Sequence, residues 1–585
     1  MKPNKILILT AVVALLSGCL DEKNESYTTM DNYFQDVTQI MTGINGCYNP
    51  LRTMVQRRDF WEMTEVAADL LYMSGSTVYN ANCDVSPARP GVAAPIWRYG
   101  YEGVKNTNDM TYAIDQAVKN GFVTKTAAAP LYAETAVLRA LYYYILTCTF
   151  GDVPFYSERV TEENRERIAT LPRMDADATR NYCIDEIYEL ILEQKALPMV
   201  RTYDGTEYRA GAALGLMLAA KMCLWNERWD DAITFINELE NIYGHYADSP
   251  ETFGTDYPLT DIPFSKRYVR ESIFEMANVV QDYGIQTSSM LATSCMPSRV
   301  AKAVIESDAT GGEDADDEYT EEDGESLDDN SGSDCYAGIC IPALGGDAKT
   351  STTVRPNSYL YARLLPYISK DKRACEYNST DATKVGTTPR NGSGTLAWAW
   401  VGYDPTDMER TKSNAMFFWS SSSSKSRISG TSKPWMGNKF WAYGMHNTKD
   451  PNNYKMFRFA DALLMKAEAY LKKGETDLAC DYLNITRIRA GLDPITFQSV
   501  LYEEEALMEE IRMERAKELV GEFQRKFDLV RWGVWYNQTY NNTDFTTVRA
   551  NILHCHEYYP IPDEEVALSD YNLDNKAYDA ELTTF

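Results

Sequence analysis

The sequence has few of the residues on which metal and acid–base chemistry usually depend. Four histidines occur in 585 residues, which leaves little material for histidine-ligated metals or histidine-based catalysis. The twelve cysteines include no C-x-x-C pair, so a zinc ribbon or a dithiol redox motif is excluded. Nucleophile elbows, H-E-x-x-H helices, P-loops and dinucleotide fingerprints are also missing. These absences argue against motif-bearing enzymes, although a hydrolase that needs only two carboxylates has no such motif.

Positive charge is scarce as well. The 85 Asp and Glu residues outnumber the 57 Lys and Arg residues, which gives a formal net charge of −28 and a pI near 4.7. A surface of this sign repels phosphate backbones and anionic lipid headgroups. We therefore expect no nucleic-acid partner and no membrane binding driven by charge.

The segment 306–334 contains no Lys or Arg and 14 of the acidic residues. We interpret it as a solvated surface insertion. Four of its acids fall at positions 1, 3, 5 and 12 of a calcium loop, which leaves a structural calcium ion open. However, Tyr319 stands where such a loop needs glycine, so we do not predict an EF-hand and expect no cofactor. The four acids are Asp314, Asp316, Glu318 and Glu325.

Eleven cysteines, an odd number, lie beyond Cys19. Those inside helical patterns, such as Cys223, we interpret as small buried hydrophobes. Cys335 and Cys340 can pair around a loop, and the sequence leaves that pairing open. The run His554-Cys555-His556 looks like a metal cluster, but consecutive positions of an extended segment point to opposite faces. We therefore predict no metal site there.

Long hydrophobic runs are missing beyond residue 18. The apolar run Ile6–Leu16 follows two lysines and ends just before Ser17-Gly18-Cys19. It is too short for a stable bilayer span, which needs about 20 apolar residues. Basic residues, a short apolar core and small residues before a cysteine form a secretory signal of the lipoprotein type. We predict that residues 1–18 are removed and that Cys19 is lipidated; an ordinary signal peptide that ends near a cysteine is the alternative.

Helical periodicity dominates the chain before residue 240 and after residue 455, whereas the residues between are rich in Gly, Ser, Thr, Asn, Asp and Pro. We predict a mainly α protein with a large insertion of loops and hairpins. Its regions are the signal 1–18, an N-terminal helical region 19–240, a loop-rich region 241–455 and a C-terminal helical region 456–585. The N-terminal helical patterns cover Val37–Met54, Trp97–Val118, Ala127–Thr149, Thr179–Glu193 and Tyr208–Glu240.

Two predicted helix pairs share one residue spacing, with offsets of 3, 9 and 4. Small or medium residues stand at these positions: the small ones let two antiparallel helices approach closely and aromatic or aliphatic ones fill the remaining space, as in tetratricopeptide repeats. Because the pairs are far apart in sequence, we expect helical-repeat units of one body that a large insertion separates. The positions are Ala220, Cys223, Ala232 and Ile236 in the first pair and Ala467, Tyr470, Ala479 and Leu483 in the second.

The segment Met456–Ile495 contains an Arg-aromatic-Ala-Asp-x-Leu-Leu-Met-x-Ala-Glu-Ala helix, and a second helix that ends Asn-x-x-Arg-x-Arg-Ala-Gly-Leu. It strongly resembles the SusD/RagB family of outer-membrane nutrient-binding lipoproteins. Two features depart from the family pattern: Phe523 stands where the family often has glycine, and the segment 306–334 looks like an insertion particular to this protein. Further family motifs stand in the family's order at Leu138–Tyr143, Phe150–Pro154, Glu271–Glu275, Glu514-Arg515, Glu518-Leu519, Arg525, Asp528-Leu529, Arg531-Trp532 and Tyr559–Pro562.

The charged residues of these motifs have a structural interpretation of their own. They alternate in sign at three- and four-residue spacing beside apolar helix faces, which favours ion pairs within or between helices. Taken alone, the carboxylates also suit an acid–base pair for glycoside hydrolysis. We predict that they hold the helices together. They are Arg458, Asp461, Glu468, Glu514, Arg515, Glu518, Arg525 and Asp528.

The resemblance implies a SusD-like fold and a binding protein that is not an enzyme. Members capture oligosaccharides, or in some cases peptides, for a SusC-like TonB-dependent transporter in the outer membrane. The acidic residues after Cys19 also resemble the surface-export signal of Bacteroidetes lipoproteins, which implies a lipid-anchored position on the cell surface. A surface glycoside hydrolase and a helical scaffold for protein assembly are the alternatives from other functional classes.

Aromatic residues make up 12% of the chain, and flat rings can bury the apolar faces of sugars. By position relative to the family pattern, the lips of the site are the loop after Asp69 and the loop after Phe274. A Trp pair at alternate positions of a strand would share one face and form a stacking platform, unless the tryptophans pack the hairpins onto the body. The candidates are Tyr72, Tyr79, Asn80 and Asn82 in the first loop, Tyr283 in the second, the pair Trp398 and Trp400, and the loop residues Trp419 and Trp435.

Overall fold

The structure is a computed structural model. It describes residues 33–55, 59–73, 79–201, 208–278, 291–295, 335–336, 339–340, 353–365, 371–373, 436, 438–440, 442, 450 and 452–582. Helices predominate in these residues, which confirms the predicted mainly α class.

The α-helices before the loop-rich region are α1 Val37–Cys47, α2 Asn49–Val55, α3 Asp59–Trp61, α4 Ala93–Lys119, α5 Lys125–Phe150, α6 Arg165–Ala169, α7 Ala176–Ile187, α8 Ala212–Trp225 and α9 Trp229–Tyr243. Those that follow are α10 Pro250–Asp256, α11 Leu291–Cys295, α12 Phe459–Lys472, α13 Thr476–Arg489, α14 Glu504–Leu519, α15 Arg525–Arg531, α16 Trp535–Asn542, α17 Thr546–Asn551, α18 Asp563–Leu568 and α19 Lys576–Leu582. The strands are β1 Leu71–Met73, β2 Ser272–Met276, β3 Cys335–Tyr336, β4 Ile339–Cys340, β5 Val354–Pro356 and β6 Tyr454–Arg458.

Helix α5 is the centre of the N-terminal region, and its residues are continuously buried from Ala133 to Phe150. It is apolar around most of its circumference, as expected for a helix surrounded by others. Helix α4 packs against it through Gly100 and Gly103. A Cβ atom on Gly103 would lie 2.2 Å from the ring of Tyr142, so the missing side chain permits this close approach.

The two predicted repeat units lie side by side. Helix α8 packs on α9, α12 packs on α13, and α9 packs on α12. Two buried ion pairs join the units: the ammonium of Lys221 lies 2.6 Å from Asp461 Oδ2, and Lys466 pairs with Glu240. The prediction of helical-repeat units that meet in one body is therefore confirmed.

A set of ion pairs, here called the ion-pair core, joins α13, α14 and strands β2 and β6. Arg458 lies 2.6 Å from Glu271, 2.9 Å from Glu518 and 2.7 Å from Glu522. Burial alone would raise the pKa of Glu518, but the charges of Arg489, Arg458 and Arg373 hold it well below its usual range. The predicted structural role of the motif charges is confirmed, and the pairs run between elements. The ion-pair core comprises Glu271, Arg373, Arg458, Arg489, Glu514, Glu518 and Glu522.

Phe523 has a left-handed backbone with φ of 64°. Glycine adopts this conformation without strain, so a relative with glycine at this position can have the same backbone. Here the ring of Phe523 stacks at 5.7 Å on Phe60 and meets the edge of Tyr454 at 5.1 Å. Buried aromatic contacts offset the strain of about 1 kcal/mol or more.

Three antiparallel strand pairs occur in the described residues. Strands β3 and β4 form a hairpin in which Cys335 lies opposite Cys340. The other two pairs are not hairpins: β1 pairs with β5 and β2 pairs with β6, each across a long stretch of chain. Strands thus hold the loop-rich region at both of its ends. The sequence predicts local hairpins and does not predict these long-range strand pairs. The predicted region boundaries at residues 240 and 455 lie next to the end of α9 and the start of β6, and they stay a prediction.

Within the described residues, no helix combines the length and apolar character that crossing a bilayer requires.

Candidate functional site

The predicted lip after Asp69 begins on a rigid support. Asp69 is fully buried, and its carboxylate receives two hydrogen bonds of 2.7 Å from the guanidinium of Arg525. Its carbonyl accepts a bond from the side chain of Asn357, directly after β5. Strand β1 then pairs Tyr72 with Arg355 of β5. The motif residue Arg525 therefore positions the start of the lip.

Three of the predicted lip residues are buried among protein neighbours. Burial raises the pKa of Tyr72 to about 12, and its ring stacks at 5.7 Å on Phe545. The side-chain oxygen of Asn80 accepts a bond of 3.3 Å from the Val92 amide, and Asn82 is also buried. These contacts give the three residues a structural role in the described chain, and their ligand role stays a prediction.

Tyr79 is the exposed member of the lip, with 38% of its surface accessible. The guanidinium of Arg89 lies 4.9 Å from the centre of its ring, and Arg89 also pairs with Asp84. An exposed ring with a fixed cation and carboxylate beside it can offer both a stacking face and hydrogen-bonding groups.

The remaining predicted site residues lie outside the described residues. They are Tyr283, Trp398, Trp400, Trp419 and Trp435, together with the lipidation residue Cys19.

A cavity of about 360 Å³, here called the β2 cavity, opens where the second predicted lip leaves strand β2. Asn278, which follows its wall, is the last described residue before the segment that contains Tyr283. The ring of Tyr208 is 55% exposed at its edge. The cavity walls are Asn45, Tyr48, Asn49, Arg52, Tyr208 and Phe274–Ala277.

A buried hydrogen-bond relay fixes one wall of the β2 cavity. The fully buried carboxylate of Glu134 pairs with Arg209 and accepts a bond of 2.7 Å from the hydroxyl of Tyr48. Burial, and then the charge of Glu134, raises the pKa of Tyr48 well above its usual range. The Tyr48 hydroxyl accepts the amide proton of Ala210 at 2.7 Å, two residues after the exposed ring of Tyr208.

The same relay orients Asn45. Arg209 donates to the side-chain oxygen of Asn45 at 3.0 Å, so the amide NH2 group of Asn45 is the part left for a ligand. An exposed aromatic ring beside side-chain amides suits a polyhydroxylated ligand, because the ring buries apolar C–H faces while the amides bond hydroxyl and ether oxygens.

Sequence analysis missed the β2 cavity for an identifiable reason. The stretch Tyr208–Glu240 was predicted to be helical, and that prediction is wrong at its start because α8 begins at Ala212. Gly211 precedes the helix in an extended conformation, and Gly205 lies just before Tyr208. Two glycines around one tyrosine are the signal of an exposed loop aromatic.

Metal ligation has no site in the described chain. No group of three or more His, Cys, Asp and Glu side chains there has the geometry to hold an ion. His554 is exposed and stacks at 3.8 Å on Tyr536, whereas His556 is buried and its pKa is lowered to about 4 by burial. The predicted buried role of Cys223 is confirmed, since it is a free, buried thiol.

The model of the SusD family matches residues 270–578, more than half of the chain. The chain is also 21% identical over 610 aligned residues to SusD-like protein P25 of Formosa agariphila, and the match covers 99% of each protein.

Solved structures agree in fold. A SusD homolog from Bacteroides thetaiotaomicron has a TM-score of 0.64 at 17% identity, covering 94% of this chain and 98% of the homolog. Surface glycan-binding protein A from Bacteroides thetaiotaomicron, solved in complex with laminarihexaose, has a TM-score of 0.60 at 19% identity, covering 92% of this chain and 98% of that protein. At these identities the similarity establishes the shared architecture.

Proposed function

The chain belongs to the SusD family, and from this premise we propose that it is a cell-surface protein that binds oligosaccharides without transforming them. The observation that carries the proposal is the β2 cavity, where the exposed ring of Tyr208 stands beside the oriented amide of Asn45. Stacking and hydroxyl recognition need these groups and no nucleophile or metal. The structural relative that holds laminarihexaose supports the same ligand class.

The charged residues of the family motifs support binding over hydrolysis. Each of Glu514, Glu518 and Asp528 is buried and paired with arginines. Burial would raise the pKa of Asp528, but Arg515 and Arg531 lower it to about 2. A general acid for glycoside hydrolysis needs a raised pKa and access to the substrate, and these carboxylates have neither.

The binding test uses the purified mature chain and laminarihexaose, with a glycan array to extend the ligand set. Calorimetry should show binding that Tyr208→Ala weakens about tenfold, or about 1.4 kcal/mol, near the upper end of the roughly 0.5–1.5 kcal/mol that a stacked ring contributes beyond the area it buries. Tyr188→Ala is the matched control, because Tyr188 is 41% exposed and lies outside the cavity. Equal affinity of the two variants for every glycan bound would reject the β2 cavity, and product formation would reject the binding-only function.

A second series tests the predicted loop aromatics. A Trp398→Ala, Trp400→Ala double variant should lose glycan affinity if the two rings form a stacking platform, and unchanged affinity would remove them from the site. Tyr79→Ala makes the same test for the first lip.

We also propose a lipid anchor at Cys19 and a SusC-like TonB-dependent transporter as partner. The signal before Cys19 and the family membership support both. Cys19→Ala should release the protein from the outer-membrane fraction, and continued membrane association would contradict the anchor. Copurification of the transporter with the tagged wild-type chain tests the partnership.

A further inference from the structure

Strand β2 and one tyrosine ring give the β2 cavity an apolar wall, here called the cavity floor, which comprises Tyr48, Phe274, Met276 and Ala277. Phe274 and Met276 are 3% and 6% exposed, whereas Tyr48 and Ala277 are half-buried. A sugar hydroxyl that reached this surface would give up water without gaining a hydrogen bond, which is unfavourable. The cavity floor therefore suits an apolar group of the ligand.

The polar groups beside the cavity floor are engaged by the protein itself. The carboxylate of Glu275, a residue that is 1% exposed, accepts bonds of 2.9 Å from the Tyr268 backbone amide and from the side-chain amide of Asn453. The hydroxyl of Tyr48 donates to Glu134 and accepts a backbone amide proton, both at 2.7 Å. These groups therefore give a sugar hydroxyl little compensation at the floor.

Two asparagines where α1 gives way to α2 form a polar rim of the same cavity. Asn45 and Asn49 are both exposed and line it. Arg209 bonds the side-chain oxygen of Asn45 at 3.0 Å, so the NH2 group of Asn45 is the part that a ligand can meet. The side-chain amide of Asn49 carries both a donor and an acceptor. An apolar floor with a donor and an acceptor at its rim matches a methyl group attached to a secondary amide.

We infer, on the premise of the proposed glycan binding, that the β2 cavity selects sugars that carry an acetamido group, the N-acetylhexosamines. The acetyl methyl group packs on the cavity floor. The acetamido carbonyl accepts a hydrogen bond from the Asn45 NH2 group, and the acetamido N–H donates to the side-chain oxygen of Asn49. The sugar ring packs on the exposed ring of Tyr208. A sugar with a hydroxyl in the same place leaves the floor uncovered and binds more weakly.

The test compares two tetrasaccharides that differ in one substituent. Chitotetraose and cellotetraose have the same β-1,4-linked ring stereochemistry, but carbon 2 carries an acetamido group in the first and a hydroxyl in the second. Calorimetry on the purified mature chain should show chitotetraose binding at least about tenfold more tightly, the combined effect of one buried methyl group and one hydrogen bond.

Binding of cellotetraose or laminarihexaose that equals or exceeds binding of chitotetraose would overturn the inference and leave the proposed glycan-binding function standing. If none of the three sugars and no member of the glycan array binds, the proposed function fails as well. The two failures are therefore separate results.

Two further probes test other ligand chemistries at the same rim. Arg52 also lines the cavity, and a guanidinium suits an anionic sugar, for which tetragalacturonate is the probe. The blocked peptide acetyl-Ala-Ala-Ala-amide offers secondary amides and methyl groups without a sugar ring. Tighter binding of either probe than of chitotetraose would overturn the inference, in favour of a uronate in the first case and of a peptide in the second.

The residue test follows the ratio of the chitotetraose and cellotetraose affinities, which a general loss of structure would not change. Asn45→Asp replaces the donor with an acceptor and should reduce the preference to within about threefold. Tyr208→Ala should weaken both sugars by a similar factor and keep the ratio, because both stack on the same ring. Asn241→Asp, on an exposed helix position outside the cavity, should keep the ratio and both affinities. A full preference in Asn45→Asp would show that this rim does not read the acetamido group and would overturn the inference.

Discussion

The ion-pair core and the β2 cavity both gather charged and polar side chains, but they differ in what they leave available. In the ion-pair core, Arg458 and Arg489 meet Glu271 and Glu518 at 2.6–2.9 Å, and all four are nearly inaccessible. In the β2 cavity, Tyr208 remains more than half exposed, and the Asn45 side chain bonds the described residues through its oxygen.

The difference shows why charge in a family motif is a poor guide to ligand binding. A buried carboxylate that already bonds several arginines has no lone pair or solvent access to offer a ligand, so it acts as a structural element. A half-exposed aromatic ring with an accessible amide beside it can still stack on a ligand and donate hydrogen bonds to it. Unsatisfied, accessible groups locate the candidate site better than the strongest motif does.

The largest expected effect is in the ion-pair core. Glu518→Gln removes the carboxylate that Arg373, Arg458 and Arg489 share. Breaking a buried pair while its partners stay charged costs about 3–5 kcal/mol. Urea unfolding followed by circular dichroism measures the loss.

The matched control is Glu505→Gln, which removes an acid of the same helix whose side chain is 79% exposed and pairs with Arg512. Surface pairs contribute at most about 1 kcal/mol. Similar losses in the two variants would mean that the ion-pair core is not a special part of the molecule.

How much of this was predictable from sequence differs between the two regions. Alternating charges such as Glu514, Arg515 and Glu518 beside apolar positions predicted structural ion pairs, because helical spacing limits where such side chains can point. The repeat positions Ala220 and Ala467 likewise predicted close helix packing. Both inferences use local geometry, and the structure confirms both, as the family match confirms the family.

The β2 cavity depends on long-range contacts that no local pattern encodes. It needs Arg209 to meet Asn45 and Glu134, which lie 164 and 75 residues away in sequence. Tyr72 shows the same dependence, because its place in the predicted lip does not reveal that β5 and Phe545 bury it, and its ligand role stays a prediction. Helix propensity and the order of the motifs predict the helices. The exposure of a side chain depends on which helices and strands pack together.

One buried cation breaks the pattern of the ion-pair core and gives the second prediction. Lys526 is 3% exposed and donates to the carbonyl of His556 at 2.8 Å, its one hydrogen bond among the described residues, with the rings of Trp535 and Tyr559 at 4.7 and 4.0 Å. Burial lowers its pKa to about 7. The folded chain therefore holds this proton less tightly than the unfolded chain, whose lysine pKa is about 10.4.

The free energy of unfolding should therefore fall as the pH drops from about 10 towards 7, with a slope near 1.4 kcal/mol per pH unit from this residue. Lys526→Met keeps the apolar stem and should remove that slope between pH 7.5 and 9.5. Urea unfolding of both proteins across this range measures the difference. Parallel stability curves would show that Lys526 is charged in the folded protein and stabilised like the cations of the ion-pair core.

The third prediction concerns the amide orientation in the β2 cavity. Asn45→Asp keeps an oxygen for Arg209 but replaces the amide donor with a second acceptor. Glycan affinity should fall about tenfold, the loss of roughly one hydrogen bond plus an unfavourable contact between acceptors. Asn241→Asp makes the same chemical change on an exposed helix position outside the cavity and should bind as the wild type does. If the two variants bind equally, Asn45 does not face the ligand.

The smallest effect separates the ring of Tyr208 from its hydroxyl. Because the hydroxyl belongs to a side chain that is 55% exposed, water can replace most of what it bonds, whereas the ring face has no such substitute. Tyr208→Phe should therefore change glycan affinity by no more than about threefold, less than 1 kcal/mol, while Tyr208→Ala loses about tenfold. Titration of the same oligosaccharide into both variants decides the point. If the Phe variant binds as weakly as the Ala variant, the cavity recognises its ligand by a hydrogen bond through the Tyr208 hydroxyl. The group that distinguishes the β2 cavity from the ion-pair core would then be one accessible hydroxyl and not an aromatic surface.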